Sequence, residues 1–161
     1  ERDSLPEVRL EADGRQRYLR AEAALGRDST ALAAAVRSSI PGILAIYESF
    51  AALDRERVGY LRQFAATAHE AGISVVAFLP PVHPAFARAA EGTAWRVRTE
   101  ETVALLKRLE GDGLLRYVET RDLLRSSGDT LAYVDVIHFL GPAAATLAAA
   151  LRGAPGRCAL Q

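Results

Sequence analysis

The chain has 161 residues, twenty Lys plus Arg against twenty Asp plus Glu, and half of its residues hydrophobic, the balance of a compact soluble domain. A chain of this length buries roughly 70% of its unfolded surface, enough for a core without disulfides or a structural metal, and its single cysteine, Cys158, agrees. Zero net charge removes the long-range field used by nucleic-acid binders and basic membrane-surface proteins, and no apolar stretch approaches the roughly 18 residues of a membrane-spanning helix.

Nineteen Arg beside the lone Lys107, together with thirty-one Ala, reflect a GC-rich coding bias and carry no chemistry. The chain starts without Met or a charged-then-apolar leader, which reads as an excised or processed part of a longer product. Residues 1–42 form a poorly defined amino-terminal segment. Within it Asp13-Gly14 reads as a turn and Arg27-Asp28-Ser29-Thr30 as a cap, giving an expectation of two short helices. Pro41-Gly42 breaks the chain, and Ile43-Leu44-Ala45-Ile46-Tyr47 is an apolar run suited to a buried strand. Asp54 caps a helix from Arg55 to about Ala71, with Val58, Leu61, Ala65 and Ala68 on one apolar face and Gly72 as its stop.

Ile73 to Leu79 is nearly unbroken in apolar residues, as in a strand covered on both faces of a parallel sheet. Pro80-Pro81 ends it. A short helix is expected over Pro84 to Glu91 and a longer one from Trp95, with Val103, Leu106 and Leu109 at helical spacing and Gly111-Asp112-Gly113 as the stop. Leu115 to Glu119 forms the next strand and completes a βαβ unit. Tyr133 to His138 is expected as a last strand, and Gly141-Pro142 opens a helix with Leu147 and Leu151 on its buried side. This alternation predicts one three-layer α/β domain with a mostly parallel sheet, residues 153–161 forming a tail. Such sheets bind ligands beyond the carboxyl ends of their strands, which directs attention to Pro80–Pro84, Thr120–Leu123 and Asp135–His138.

Asp135 and His138 are the sharpest chemical signal. Spaced by three on a turn before a helix, a carboxylate and an imidazole meet on one side, where the carboxylate orients the ring and stabilises the imidazolium formed when it takes a proton from a hydroxyl nucleophile. The plainer alternative is that Asp135 caps a turn and His138 packs at a helix start. His83, at the carboxyl end of a strand in Pro-Pro-Val-His-Pro, is a candidate substrate-binding residue, or a solvated side chain in a proline-stiffened loop. His69 reads as a surface residue, and Arg121-Asp122 as a surface turn. Three histidines at spacings of fourteen and fifty-five match no zinc pattern, so no metal is expected. With neither a Gly-x-Gly-x-x-Gly after a strand nor a Walker-type Lys, no nucleotide cofactor is expected either. Trp95 with Phe86 reads as core, or as the wall of a groove for a sugar or acyl chain.

The block Tyr133-Val134-Asp135-Val136-Ile137-His138-Phe139-Leu140-Gly141-Pro142-Ala143 resembles the closing block of the SGNH, or GDSL-type, hydrolases and acyltransferases. There an Asp-x-x-His supplies two members of a Ser-His-Asp triad just before the final helix. Gly72 to Pro84 is similar to the preceding strand in the envelope-associated branch, which includes proteins of teichoic-acid D-alanylation and alginate acetylation. The likeness covers about residues 43–152 and implies a flavodoxin-like fold, incomplete at its amino terminus. It implies Asp135 as the orienting carboxylate, His138 as the catalytic base, and an acyl ester or envelope polysaccharide as substrate in an extracytoplasmic or membrane-associated bacterial protein.

Departures from the pattern are specific. The family's serine sits in a Gly-Asp-Ser block after the first strand, whereas the nearest strings here place Ser4 and Ser29 after no apolar run. The segment after Ile43 to Ile46, Tyr47-Glu48-Ser49-Phe50, lacks the glycine and asparagine of the family's oxyanion block. Two explanations fit: the nucleophilic serine lies upstream, or the domain lost catalysis and kept the fold. The expected function is therefore an acyl-ester hydrolase or O-acyltransferase. The alternatives are a noncatalytic module that binds glycan or an envelope protein, and an interaction domain in which Asp135 and His138 only stabilise a turn.

Overall fold

The computed structural model describes residues 8–10, 16–17, 29–123, 133, 135–138 and 141–153. Its first elements are a two-residue antiparallel ribbon, β1 (Arg9–Leu10) and β2 (Gln16–Arg17). They flank Asp13-Gly14, which itself lies outside the described residues. Of the two short helices expected in this region, the one over Ala31 to Val36 is present as part of one long helix, α1 (Ser29–Glu48), and apart from Val8 and the ribbon the rest of the segment lies outside the described residues.

Helix α1 corrects two expectations at once, because it runs through Pro41-Gly42 and absorbs the strand expected over Ile43 to Tyr47. Periodicity explains the result. Val36, Ile40, Ile43, Leu44 and Tyr47 fall on one stripe of a 3.6-residue repeat, and that stripe packs with Phe86, Ala90, Val82 and Trp95. A proline inside a helix forfeits one backbone hydrogen bond and costs about 3 kcal/mol, but burial of several large side chains at about 1.5–3 kcal/mol each outweighs it. The β-propensity of Ile43 and Ile46 is local and smaller.

Helix α2 (Arg55–Glu70) begins where expected: Asp54 accepts the Arg57 backbone N–H at 2.9 Å, and Ala65 and Ala68 are buried. Gly72 ends it at φ 71°, a left-handed backbone that glycine adopts without steric cost. After β3 (Val76–Phe78) come α3 (Pro84–Ala89), α4 (Ala94–Gly111) and β4 (Arg116–Val118). The fold is mixed α/β, with β3 and β4 paired in parallel and Ala77 opposite Tyr117. The expected βαβ unit is present, with its strands shortened to three residues each.

One face of this sheet is dry. Ala77 and Tyr117 pack with Val58, Leu61 and Ala65 of α2 and with Val103, Leu105, Leu106 and Leu109 of α4. On the other face the Arg116 guanidinium donates to the Leu151 carbonyl at 2.8 Å, one of the carbonyls left over at the end of α5 (Gly141–Gly153). That bond sets α5 beside β4. The β3 side of the same face is open: Val76 is 41% and Phe78 36% exposed, so the strand is not covered on both faces by the described residues as its apolar run suggested.

The strand expected over Tyr133 to His138 is also absent among the described residues. Tyr133 makes an isolated bridge, and 135–138 is a bend. Asp135 takes the backbone N–H groups of Ile137 and His138 onto its side chain, which withdraws them from a ladder. Helix α5 then starts at Gly141-Pro142 with Ala143 and Leu147 buried. No helix of the described residues is long and apolar enough to cross a membrane.

Candidate active site: a carboxylate and an imidazole on one turn

The turn at 135–138 spends both oxygens of one carboxylate. Asp135 Oδ1 accepts the Ile137 N–H at 2.9 Å and the His138 N–H at 2.7 Å, while Oδ2 lies 2.7 Å from His138 Nδ1. One oxygen therefore shapes the backbone that carries the imidazole, and the other holds the ring. The Asp135 N–H points back to the His138 carbonyl at 3.5 Å and closes the turn. Partial burial pushes the Asp135 carboxyl upward, but the hydrogen bonds from the His138 backbone and ring and from the Ile137 backbone outweigh it and hold the group below its ordinary value. It is ionised at neutral pH. An ionised carboxylate only accepts, so Nδ1 is the ring nitrogen that carries a proton toward it, and Nε2 is the one left to exchange a proton in the neutral tautomer. The His138 side chain is 48% exposed.

The loops after β3 and β4 and the segment at Tyr133 are knit around this turn. The His83 backbone N–H donates to the Val136 carbonyl at 2.8 Å, and the Tyr133 hydroxyl donates to the Val82 carbonyl at 3.0 Å. Behind them the Thr120 hydroxyl donates to the Leu79 carbonyl and joins the segment after β4 to the end of β3. Pro81, Thr120, Tyr133 and Val136 are fully buried, so the frame beneath the dyad is packed. Burial pushes the Tyr133 hydroxyl up to about 12.

His83 belongs to that frame. Its ring is 5% exposed, its Nδ1 accepts the Ala85 N–H at 3.0 Å as the cap of α3, and its edge meets Tyr133 at 5.3 Å between centroids. Burial, then Arg88 and Arg37, lower its pKa, so the ring is neutral at pH 7. The sequence singled His83 out as a substrate contact; in the structure its visible work is to cap a helix and hold a loop. His69 is exposed on α2, and Phe86 and Trp95 form an edge-to-face pair at 5.0 Å within the core.

The candidate nucleophiles do not join the dyad among the described residues. Ser49 Oγ donates to the Ile46 carbonyl at 3.1 Å at the end of α1. Ser4 and the side chain of Ser29 lie outside the described residues. Because Ile43 to Glu48 is helical, Tyr47-Glu48-Ser49-Phe50 is the end of a helix and does not follow a strand. No group of three or more His, Cys, Asp and Glu among the described residues is arranged to hold a metal ion.

One polar cluster was hidden in the sequence. Arg121, expected as part of a surface turn, grips Glu119 through Nε at 2.9 Å and Nη2 at 2.7 Å, and reaches Glu100 of α4 through Nη1 at 2.8 Å. Tyr117 donates to the same Glu119 at 3.1 Å. The Arg121 hydrogen bond holds the Glu119 carboxyl down at about 2, and burial with the Glu119 charge pushes the Tyr117 hydroxyl up to about 12. A bidentate arginine of this kind pins the loop after β4 to α4. Comparison with models of protein families, with curated proteins and with solved structures finds no match to the chain.

Proposed function

We propose that the turn at 135–138 is the proton-transfer half of an acyl-ester hydrolase or O-acyltransferase, with a fold of the three-layer, flavodoxin-like SGNH type. The observation that carries the reading is the 2.7 Å approach of Asp135 Oδ2 to His138 Nδ1, on a carboxylate already fixed by two backbone N–H groups. The resemblance of the Tyr133–Ala143 block adds the reaction class. His138 Nε2 takes the proton of a serine hydroxyl as its oxygen attacks an ester carbonyl, and Asp135 stabilises the imidazolium. The imidazolium returns that proton to the leaving alkoxide. In the second half-reaction Nε2 deprotonates water, or a glycan hydroxyl, which takes the acyl group as the acyl–serine bond breaks and the imidazolium returns the proton to the serine oxygen. The serine is contributed from outside the described residues, and the acceptor class is an envelope polysaccharide in an extracytoplasmic setting.

A second reading, a noncatalytic module that binds glycan or a protein, draws on the exposed Val76 and Phe78 of β3, an apolar strand face of the kind that partners cover. Labelling of the chain with a fluorophosphonate probe, followed by peptide mapping, separates the two. A single serine adduct lost in both His138→Ala and Asp135→Asn supports the enzyme. An adduct that persists in both variants removes the dyad from catalysis, and an unlabelled chain makes the enzyme reading depend on an upstream serine and the binding module the better description of these 161 residues.

A further inference from the structure

His83 is a buried titratable group that the proton-transfer scheme leaves unused. Its Nδ1 must be unprotonated to accept the Ala85 N–H at 3.0 Å, which sets the ring as the Nε2–H tautomer. The same residue's backbone N–H donates to the Val136 carbonyl at 2.8 Å, in the middle of the turn that bears the dyad. Side chain and main chain of one residue thus act on two elements: the ring fixes the His83 backbone at φ −54° and ψ 133°, and that backbone aims the N–H at Val136. The ring edge also supports Tyr133, whose hydroxyl ties back to Val82.

We propose that His83 is a positioning residue for the Asp135–His138 dyad, and that protonation of its ring uncouples the turn from the loop after β3. The inference rests on the dyad reading above. A proton on Nδ1 would confront the Ala85 N–H with a second donor, so the cationic ring must leave the cap, and the anchor on Val136 and the contact with Tyr133 loosen with it. The charges packed around His83 oppose its protonation: Arg88 of α3 and Arg37 of α1 are both cationic. From the turn side Tyr133 is the titratable neighbour in ring contact, and the turn itself carries Asp135 and His138. Burial acts in the same sense as the two arginines. The sign follows. Above the ordinary histidine value of 6.5 the ring is neutral in folded and unfolded chains alike and the anchor is intact. As the pH falls below that value the unfolded chain takes up a proton that the folded ring resists, and the anchor is lost when the fold finally admits it.

The test is ¹⁵N and ¹H NMR of the histidine rings and of the 136–138 amides in the full 161-residue chain, titrated from pH 8 to pH 4. The expected result is a His83 ring in the Nε2–H tautomer that titrates below the ordinary histidine value of 6.5. The Val136 to His138 amides and the His138 Nδ1–H signal change with the His83 midpoint. His83→Asn is the decisive variant, since an asparagine oxygen caps the helix but cannot titrate: the turn signals then persist to lower pH than in the parent chain. His83→Ala loses them at every pH. The proposal is overturned if His83 titrates without moving the turn signals, or if His83→Asn shows the parent's acid transition. The readout needs no turnover, so it stands or falls apart from the ester chemistry.

Discussion

Asp135 Oδ1 accepts the His138 backbone N–H at 2.7 Å while Oδ2 of the same carboxylate sits 2.7 Å from the His138 ring. The aspartate therefore binds its histidine twice, through backbone and side chain, and the two functions are separable by substitution. Asp135→Asn keeps an oxygen for the two N–H groups and loses the carboxylate charge; it is expected to retain stability while dropping any His138-dependent turnover by on the order of 10⁴-fold. Asp135→Ala loses both, with an additional cost of about 1–2 kcal/mol from two forfeited backbone hydrogen bonds. Urea denaturation of the two variants, read beside their rates, checks the separation.

Thr120 tests the frame beneath the dyad. The hydroxyl of the buried Thr120 donates to the Leu79 carbonyl at the end of β3, so Thr120→Val leaves a half-buried acceptor without this donor and is expected to lower stability by roughly 1–2 kcal/mol. Thr120→Ser restores the hydroxyl and recovers most of the loss. Equilibrium unfolding of the pair is the measurement.

The cluster around Glu119 contributes to the pH dependence of the fold, together with the buried Tyr133. Glu119 is held at about 2 against an ordinary 4.5, so its contribution to stability is complete above 4.5 and declines as the pH falls from there through about 2. Arg121→Leu is expected to flatten that acid limb, and 1 M salt to shrink it in the parent chain, because the pair is partly exposed and screened. On the alkaline side Tyr117 and Tyr133, both raised to about 12 from 10, favour the fold less and less above pH 10. Stability against pH in parent and variant chains reads both limbs.

Helix α1 shows where sequence reasoning and structure part. The stripe Val36, Ile40, Ile43, Leu44, Tyr47 was present in the sequence, but Pro41-Gly42 reads as a break, and tertiary packing against Phe86 and Trp95 overrides it. Replacing the proline tests this directly: Pro41→Ala is expected to stabilise the chain by about 1–3 kcal/mol if the segment is helical, as seen in thermal unfolding, and circular dichroism should hold or gain helix signal.

Legibility followed the range of the determining interaction. Asp54 as a cap, Gly72 as a stop, the α4 stripe and the β3–α4–β4 order rest on local chemistry and were readable. The Asp135–His138 contact was readable too, because three residues of turn fix it. The burial of His83, the Thr120–Leu79 tie and the Arg121–Glu100 bridge join residues 21 to 53 apart in sequence, and no local pattern encodes such pairings. The last strand failed for a local reason that propensity hides: the Asp135 carboxylate competes for the N–H groups a ladder would need.

The central claim is that Asp135 makes His138 the reactive base of this chain, and the chain's three histidines make a direct test simple. An activated aryl acetate reports imidazole reactivity without requiring a particular serine, so its hydrolysis by the full chain is compared with that by His69→Ala, His138→Ala and Asp135→Asn. The account predicts that His138→Ala and Asp135→Asn remove most of the rate while His69→Ala leaves it unchanged. A rate that follows His69, or that survives the loss of His138, would contradict it.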